Sequence, residues 1–204
     1  MARLQRRGVC LVLSAPSGAG KSTIAQKLVA SEEELALSVS VTTRAPRPGE
    51  REGVHYFFRD RAAFDALARE GALIEWATVF GQSYGTPRAP VEVALAAGRD
   101  LVFDIDWQGH QKLRAALPGD VVSVFILPPS LAELEARLRG RESDDAGEVS
   151  RRMQAARSEI SHWPEFDHVV VNDSFEAALA AVRAVLHAAR TAVSRQMGLQ
   201  GLFG

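Results

Sequence analysis

The chain has 204 residues, 47% of them hydrophobic and 24% charged, an ordinary globular composition that excludes a fibre or a disordered tail. A formal net charge of −1 excludes a surface built for bulk nucleic acid or anionic membrane, so any local cluster of arginine becomes informative. The one cysteine, Cys10, cannot close an internal disulfide and reads as core in a protein of a reducing compartment, expected in the cytoplasm.

The opening "MARLQRRGVCLVLSA" has the basic-then-apolar order of a secretion signal, but its apolar run is short and flows into a glycine-rich loop, so it reads as the start of the fold. No stretch has the apolar length needed to span a bilayer. Residues 9–14, "VCLVLS", are continuously apolar and predict a strand buried on both faces of a parallel sheet. After the turn, "KSTIAQKLVAS" places Ile24 and Leu28 at helical spacing. From about 38 to 90 the rhythm shortens to "LSVSVTT", "HYFF" and "LIEWATVF", punctuated by proline and glycine, which predicts an inserted lobe. Buried runs return at "DLVFDI" (100–105), "VVSVFIL" (121–127) and "HVVV" (168–171), separated by helical patterns, the alternation of an α/β sheet with crossover helices. Two helical patterns lie between 131 and 160, joined by a polar bend around 140–147, and their charge suits a mobile hairpin. The alanine-rich "SFEAALAAVRAVLHAARTAVSRQ" predicts an amphipathic helix capped by Ser174 and covering the sheet.

Residues 15–23, "APSGAGKST", nearly fit the phosphate-loop pattern G-x-x-x-x-G-K-S/T, with Ala15 in place of the first glycine. Ala15, Pro16, Ser17, Gly18, Ala19 and Gly20 are small enough for backbone N–H groups to approach a phosphate. Lys21 would reach the β and γ phosphates, Ser22 would ligate Mg²⁺, and Thr23 lies in the first turn of a helix whose positive end adds to the cradle. The competing reading is a plain turn that binds nothing, although a turn needs neither the lysine nor the serine. The stretch "VTTRAPRPGEREGVHYFF" (41–58) then sets Arg44, Arg47 and Arg51 in a stiff loop leading to Tyr56. These are more cations than one triphosphate needs beside Lys21, so they point to a second phosphate held by guanidinium forks and the tyrosine hydroxyl. A solvated hairpin with scattered charge is the alternative.

Taken in order, "SAPSGAGKST", "SVSVTTRAPRPGEREGVHYFF", "FGQSYGTP", "VFDIDWQG", "LRGRESDD" and "VVVND" closely resemble the guanylate kinase family over almost the entire chain. The fold class this implies is α/β: a P-loop NTPase core with a parallel sheet flanked by helices (1–37, 91–130 and 158–204), an inserted GMP-binding lobe (38–90) and a helical lid (131–157). The resemblance implies Mg²⁺ with ATP as phosphoryl donor and GMP as acceptor, with dGMP as a further candidate. The near-neutral charge leads to no expected nucleic-acid or membrane partner, and the chain is expected as a monomer or homodimer. Arg44, Arg47, Tyr56 and Tyr84 match positions that hold the GMP phosphate. Ser38, Glu75 and Thr86 match those around guanine, where the Glu75 carboxylate would accept from the base N1–H and amine and leave adenine unserved; the alternative for Glu75 is a charge on the exposed face of an edge strand. Asp104 and Asp106 end a strand where open α/β sheets place ligands. Asp106 resembles a residue near guanine and the acceptor phosphate, and Asp104 would reach Mg²⁺ through water. Arg137, Arg141 and Arg152 resemble catalytic arginines in and near the lid, and Asn172 a residue near adenine.

Two rivals remain at this stage. One is another small P-loop kinase, such as one acting on a ribose bisphosphate. The other is a non-catalytic guanylate-kinase-like module that binds proteins, which would be expected to lose Lys21 and Ser22 or the lid arginines.

Overall fold

A computed structural model describes residues 5–79, 81–140 and 146–199. The chain enters through β1 (Gln5–Arg6) and drops into β2 (Cys10–Ser14), a strand with every residue buried. Alternation along β2 serves two cores at once. Val9, Leu11 and Leu13 face one side of the sheet, and Cys10 and Val12 the other. The glycine-rich turn leads to α1 (Lys21–Ser31), and β3 (Leu35–Leu37) returns to the sheet edge.

The next strand leaves the sheet. β4 (Ser40–Thr42), β5 (Tyr56–Phe58), α2 (Arg61–Arg69), β6 (Leu73–Val79) and β7 (Gln82–Pro87) build a second, four-stranded sheet of order β5-β4-β7-β6 with one helix. "LSVSVTT" is therefore split between two sheets. Leu37 ends a core strand and Ser40 begins a lobe strand. Asp60 caps α2 by accepting from Ala63 N–H at 2.7 Å, and Phe64, Val41 and Leu73 form the small core beneath it.

α3 (Arg88–Ala96) leads back to the first sheet, followed by β8 (Asp100–Asp104), α4 (Trp107–Ala116) and β9 (Val121–Leu127). Then come α5 (Leu131–Arg139), α6 (Ala146–Ile160), β10 (His168–Val171), α7 (Phe175–Thr191) and β11 (Gln196–Met197). The core sheet has the order β10-β9-β2-β8-β3, and its strands pair in parallel. The chain runs from β2 out to one side and returns to the other, so a crevice opens at the carboxyl ends of β2, β8 and β9.

α1 and α7 cover one face of this sheet through Ile24, Leu28, Leu179, Val182 and Leu186. α3 and α4 cover the other with Val91, Leu95 and Leu113. Each such leucine, fully withdrawn from water, contributes about 1.5–3 kcal/mol. Ser174 does cap α7, its side chain accepting from Ala177 N–H. α5 and α6 pack on each other through Leu134, Leu138, Val149 and Ala156.

Two further contacts tie the parts together. At the amino rim of the sheet, the fully buried Asp100 accepts from Arg6 Nη1 at 2.6 Å, Arg190 Nε at 2.7 Å and Val9 N–H at 2.8 Å, while β1 pairs antiparallel with β11. At the opposite rim, Trp107 at the start of α4 stacks on His162 just beyond α6, ring centroids 3.6 Å apart.

Candidate active site

The loop after β2 is shaped by two glycines in the left-handed region, Gly18 at φ 95° and Gly20 at φ 96°. A Cβ at Gly20 would lie 2.5 Å from Asn172 Nδ2, so no side chain fits there. Asn172 is buried and donates from that nitrogen to Ala19 O at 2.8 Å, which fixes the loop from β10. On its outer side, Gly18 lies under Leu134 and Leu138 of α5. Helix α1 begins at Lys21, and the N–H groups of its first turn have no carbonyl behind them and face the loop.

Register places the chemistry beside this loop. Leu13 pairs with Asp104, so the last residue of β8 lies next to the strand that feeds the turn. Lys21 Nζ is 2.6 Å from Asp104 Oδ1 and donates to Ile105 O at 3.2 Å, and Ser22 Oγ donates to Asp104 Oδ2 at 2.6 Å. One carboxylate thus holds both the lysine and the serine of the motif. A cavity of about 330 Å³ lies over them, lined by the loop, Asp104, Asp106 and Glu159.

A second cavity, of about 470 Å³, opens on the other side of Lys21. Arg44, Arg47, Tyr56, Tyr84 and Glu75 line it, with Asp106 and Glu159 on its inner wall. The Arg44 guanidinium lies over the Tyr56 ring, 5.3 Å from its centre, and Tyr56 meets Tyr84 edge-on at 6.1 Å. Arg44 Nη2 donates to both oxygens of Glu50, at 2.7 and 2.9 Å, and the Arg47 N–H donates to Glu50 Oε2 at 2.7 Å. Glu50 holds the Arg44 guanidinium more firmly protonated, chiefly by hydrogen bonding, and its own carboxyl falls below the ordinary range by the same bond. Arg51 is not brought to this group. It is exposed, and its backbone N–H donates to His55 Nδ1.

Glu75 is buried at the floor of the second cavity, while its neighbour Trp76 is exposed on the other face of β6. The exposed-edge alternative for Glu75 is thereby overturned: strand alternation points it inward. Thr86, opposite it on β7, donates to Glu75 Oε1 at 2.6 Å. Burial pushes the Glu75 carboxyl up, the Thr86 bond opposes this, and Asp106 adds to it. Burial also raises the Tyr56 hydroxyl. Asp106 caps α4, its Oδ1 accepting from Gly109 N–H at 2.8 Å.

The remaining candidates lie farther out. Ser38 lines a neighbouring cavity of about 370 Å³ that shares Ser40, Tyr56 and Asp104 with the second one. Arg137, on α5, donates to Asn172 O at 3.2 Å and Glu133 Oε1 at 3.1 Å. Arg152 lies on α6. Arg141 and the bend beside it lie outside the described residues. Two residues escaped the sequence reading, Glu50 and Glu159. An acid set among arginines in "RPGER" was a usable signal for the first, and nothing local marks the second.

Comparison with known proteins agrees with this arrangement. The guanylate kinase family model matches residues 7–189. A guanylate kinase of Gluconobacter oxydans is 66% identical over 199 residues, 98% of this chain and 96% of that protein. One from Granulibacter bethesdensis is 58% identical, over 98% of this chain and 93% of its own. The crystal structure of guanylate kinase from Anaplasma phagocytophilum superposes with a TM-score of 0.79 at 41% identity, covering 98% of this chain and 95% of that one. With the loop, the paired cavities and the strand order all carried on a chain matched over nearly its full length, this protein belongs to the guanylate kinase family.

Proposed function

We propose that the chain transfers the terminal phosphate of ATP to GMP, giving ADP and GDP, and so recycles GMP in purine nucleotide metabolism. An oxygen of the GMP phosphate forms a bond to the γ phosphorus as the bond from that phosphorus to the β–γ bridging oxygen breaks, and that oxygen leaves on ADP with the electron pair. The single observation that carries this reading is the pair of cavities meeting at Lys21, Asp104 and Asp106. A transfer enzyme has little covalent work to do beyond holding donor and acceptor in line and neutralising the charge between them.

In this reading Ala15 to Thr23 cradle the donor phosphates, and Lys21 bridges toward the γ phosphate. Asn172 contributes to the donor site by steadying Ala19. Arg44, Arg47, Tyr56 and Tyr84 take the acceptor phosphate, and Glu75 with Thr86, Ser38 and Asp106 reads guanine. Arg137, Arg141 and Arg152 serve the transferring phosphate from a lid of residues 131–157, over a core of 1–37, 91–130 and 158–204, with 38–90 as the acceptor lobe. Arginines delivered by closure can be worth about 10³–10⁵ in rate.

Ser22 Oγ and the Asp104 carboxylate are hard oxygen donors close together, a fit for Mg²⁺, which takes one or two protein oxygens with phosphates and water. Bound there, Mg²⁺ would offset charge on the donor phosphates. No described helix is long and apolar enough to cross a membrane; the proposed location, where its nucleotide substrates are found, is the cytoplasm. The intact Lys21 and Ser22 favour an enzyme over a non-catalytic module.

The test is ADP release with ATP against GMP, dGMP, AMP, CMP, UMP and a ribose bisphosphate. Turnover with guanine acceptors alone is expected. Equal turnover with AMP, or none with any acceptor, overturns the reading.

A further inference from the structure

Glu159 is badly placed for a carboxylate that serves only the fold. It sits in the last turn of α6, at the negative end of the helix dipole. It is half-buried, which disfavours its charge and raises its carboxyl, and Asp106 adds repulsion. The opposing attractions are the Ser17 N–H, which donates to Glu159 Oε2 at 3.3 Å, and the charge of Lys21. Both attractions belong to the phosphate loop, and Glu159 lines both cavities. Ala156, one turn earlier on α6, is packed against α5, so the carboxylate is held over the loop by the hairpin's own core.

We propose that Glu159 is a positioning residue that occupies the Ser17 amide as a stand-in for the donor's terminal phosphate and must leave that amide when a nucleoside triphosphate binds. A triphosphate brings its last negative charge to where the two cavities meet, and a carboxylate kept there repels it. Displacing Glu159 removes a tie between α6 and the loop, so arrival of the third phosphate, and not of the first two, releases the end of α6. A nucleoside diphosphate leaves the contact in place.

This inference rests on the loop being the donor site. Its test is the ratio of dissociation constants for ADP and ATP, each with Mg²⁺ and without GMP, measured calorimetrically on the full chain. Glu159→Gln keeps an acceptor for Ser17 and removes the charge. It is expected to raise the preference for ATP over ADP by about tenfold, the size of one screened like-charge contact. Glu159→Asp keeps the charge and is expected to retain the parent ratio. A ratio unchanged in the Gln variant, or changed alike in both variants, overturns the inference while leaving the donor site standing. Failure of the parent chain to bind either nucleotide refutes the donor site, and the inference falls with it.

Discussion

Lys21 and Asp104 form an ion pair at 2.6 Å, and the second oxygen of the same carboxylate takes the Ser22 hydroxyl at 2.6 Å. The two side chains that the phosphate-loop pattern assigns to phosphate and to Mg²⁺ are thus held side by side before any nucleotide arrives, so their ordering need not be provided by binding.

Replacing Lys21 by Met should therefore lower the rate of transfer by about 10²–10³, the loss typical of one preorganised charge at a reacting centre. GMP affinity should change little, because in this reading the acceptor phosphate is taken by Arg44, Arg47, Tyr56 and Tyr84 and not by Lys21. Steady-state kinetics together with GMP titration separates the two quantities. Full activity in this variant would remove the loop from the mechanism.

Glu75→Gln should raise the KM for GMP by about 10- to 100-fold, the worth of one charge-assisted hydrogen-bonding group, and leave the KM for ATP in place. The neutral amide still receives the Thr86 hydroxyl, so the fold survives. Equal losses for both substrates would contradict the assignment to guanine.

A pH dependence follows from the burial of Glu75. Its carboxyl lies above the ordinary 4.5, so the ionised form that accepts from guanine is lost earlier on acidification than an exposed glutamate would be. The KM for GMP should rise as pH falls through that raised value, with the KM for ATP flat across the same range and the effect absent in Glu75→Gln. Stability moves the other way. The folded chain holds this proton more tightly, so the contribution is fully present below pH 4.5 and is lost as pH rises through the folded value.

Asp100→Ala should cost about 3–5 kcal/mol of stability, because it removes the buried carboxylate shared by Arg6 and Arg190, leaving Glu34 to the first and Glu32 to the second, and leaves the Val9 N–H without its acceptor. The residue lies at the amino rim, away from both cavities, so the activity of folded protein should be retained at permissive temperature. Thermal unfolding beside an assay tests both halves; a variant that loses activity without losing stability would link this rim to the site.

Much of this was legible in the residues. "VVSVFIL" coincides with β9, because a continuous apolar run fits the middle of a covered sheet, whereas "HVVV", expected to be buried, forms the edge strand β10 with only Val170 buried and Val169 and Val171 exposed. "LSVSVTT" misled, since a crossing between two sheets at residues 38–39 uses the same small and β-branched residues as the strands on either side. Helix α2 was hidden inside a segment whose prolines and glycines suggested strands alone. The phosphate-loop pattern at 15–23 and the arginines at 44 and 47, which line the two cavities, stood out locally. That Glu50 ties those arginines and Glu159 ties Ser17 depends on chain segments meeting in space, six residues apart in one case and 142 in the other.

The stack of Trp107 on His162 has a practical outcome. A ring stacked this closely on an indole perturbs its excited state, so the emission of Trp107 senses the separation of the two rings. With Trp76 and Trp163 changed to phenylalanine, Trp107 is the single remaining tryptophan. The protein then carries its own optical gauge of the gap between α4 and the far end of α6, readable in a stopped-flow cell without any attached dye.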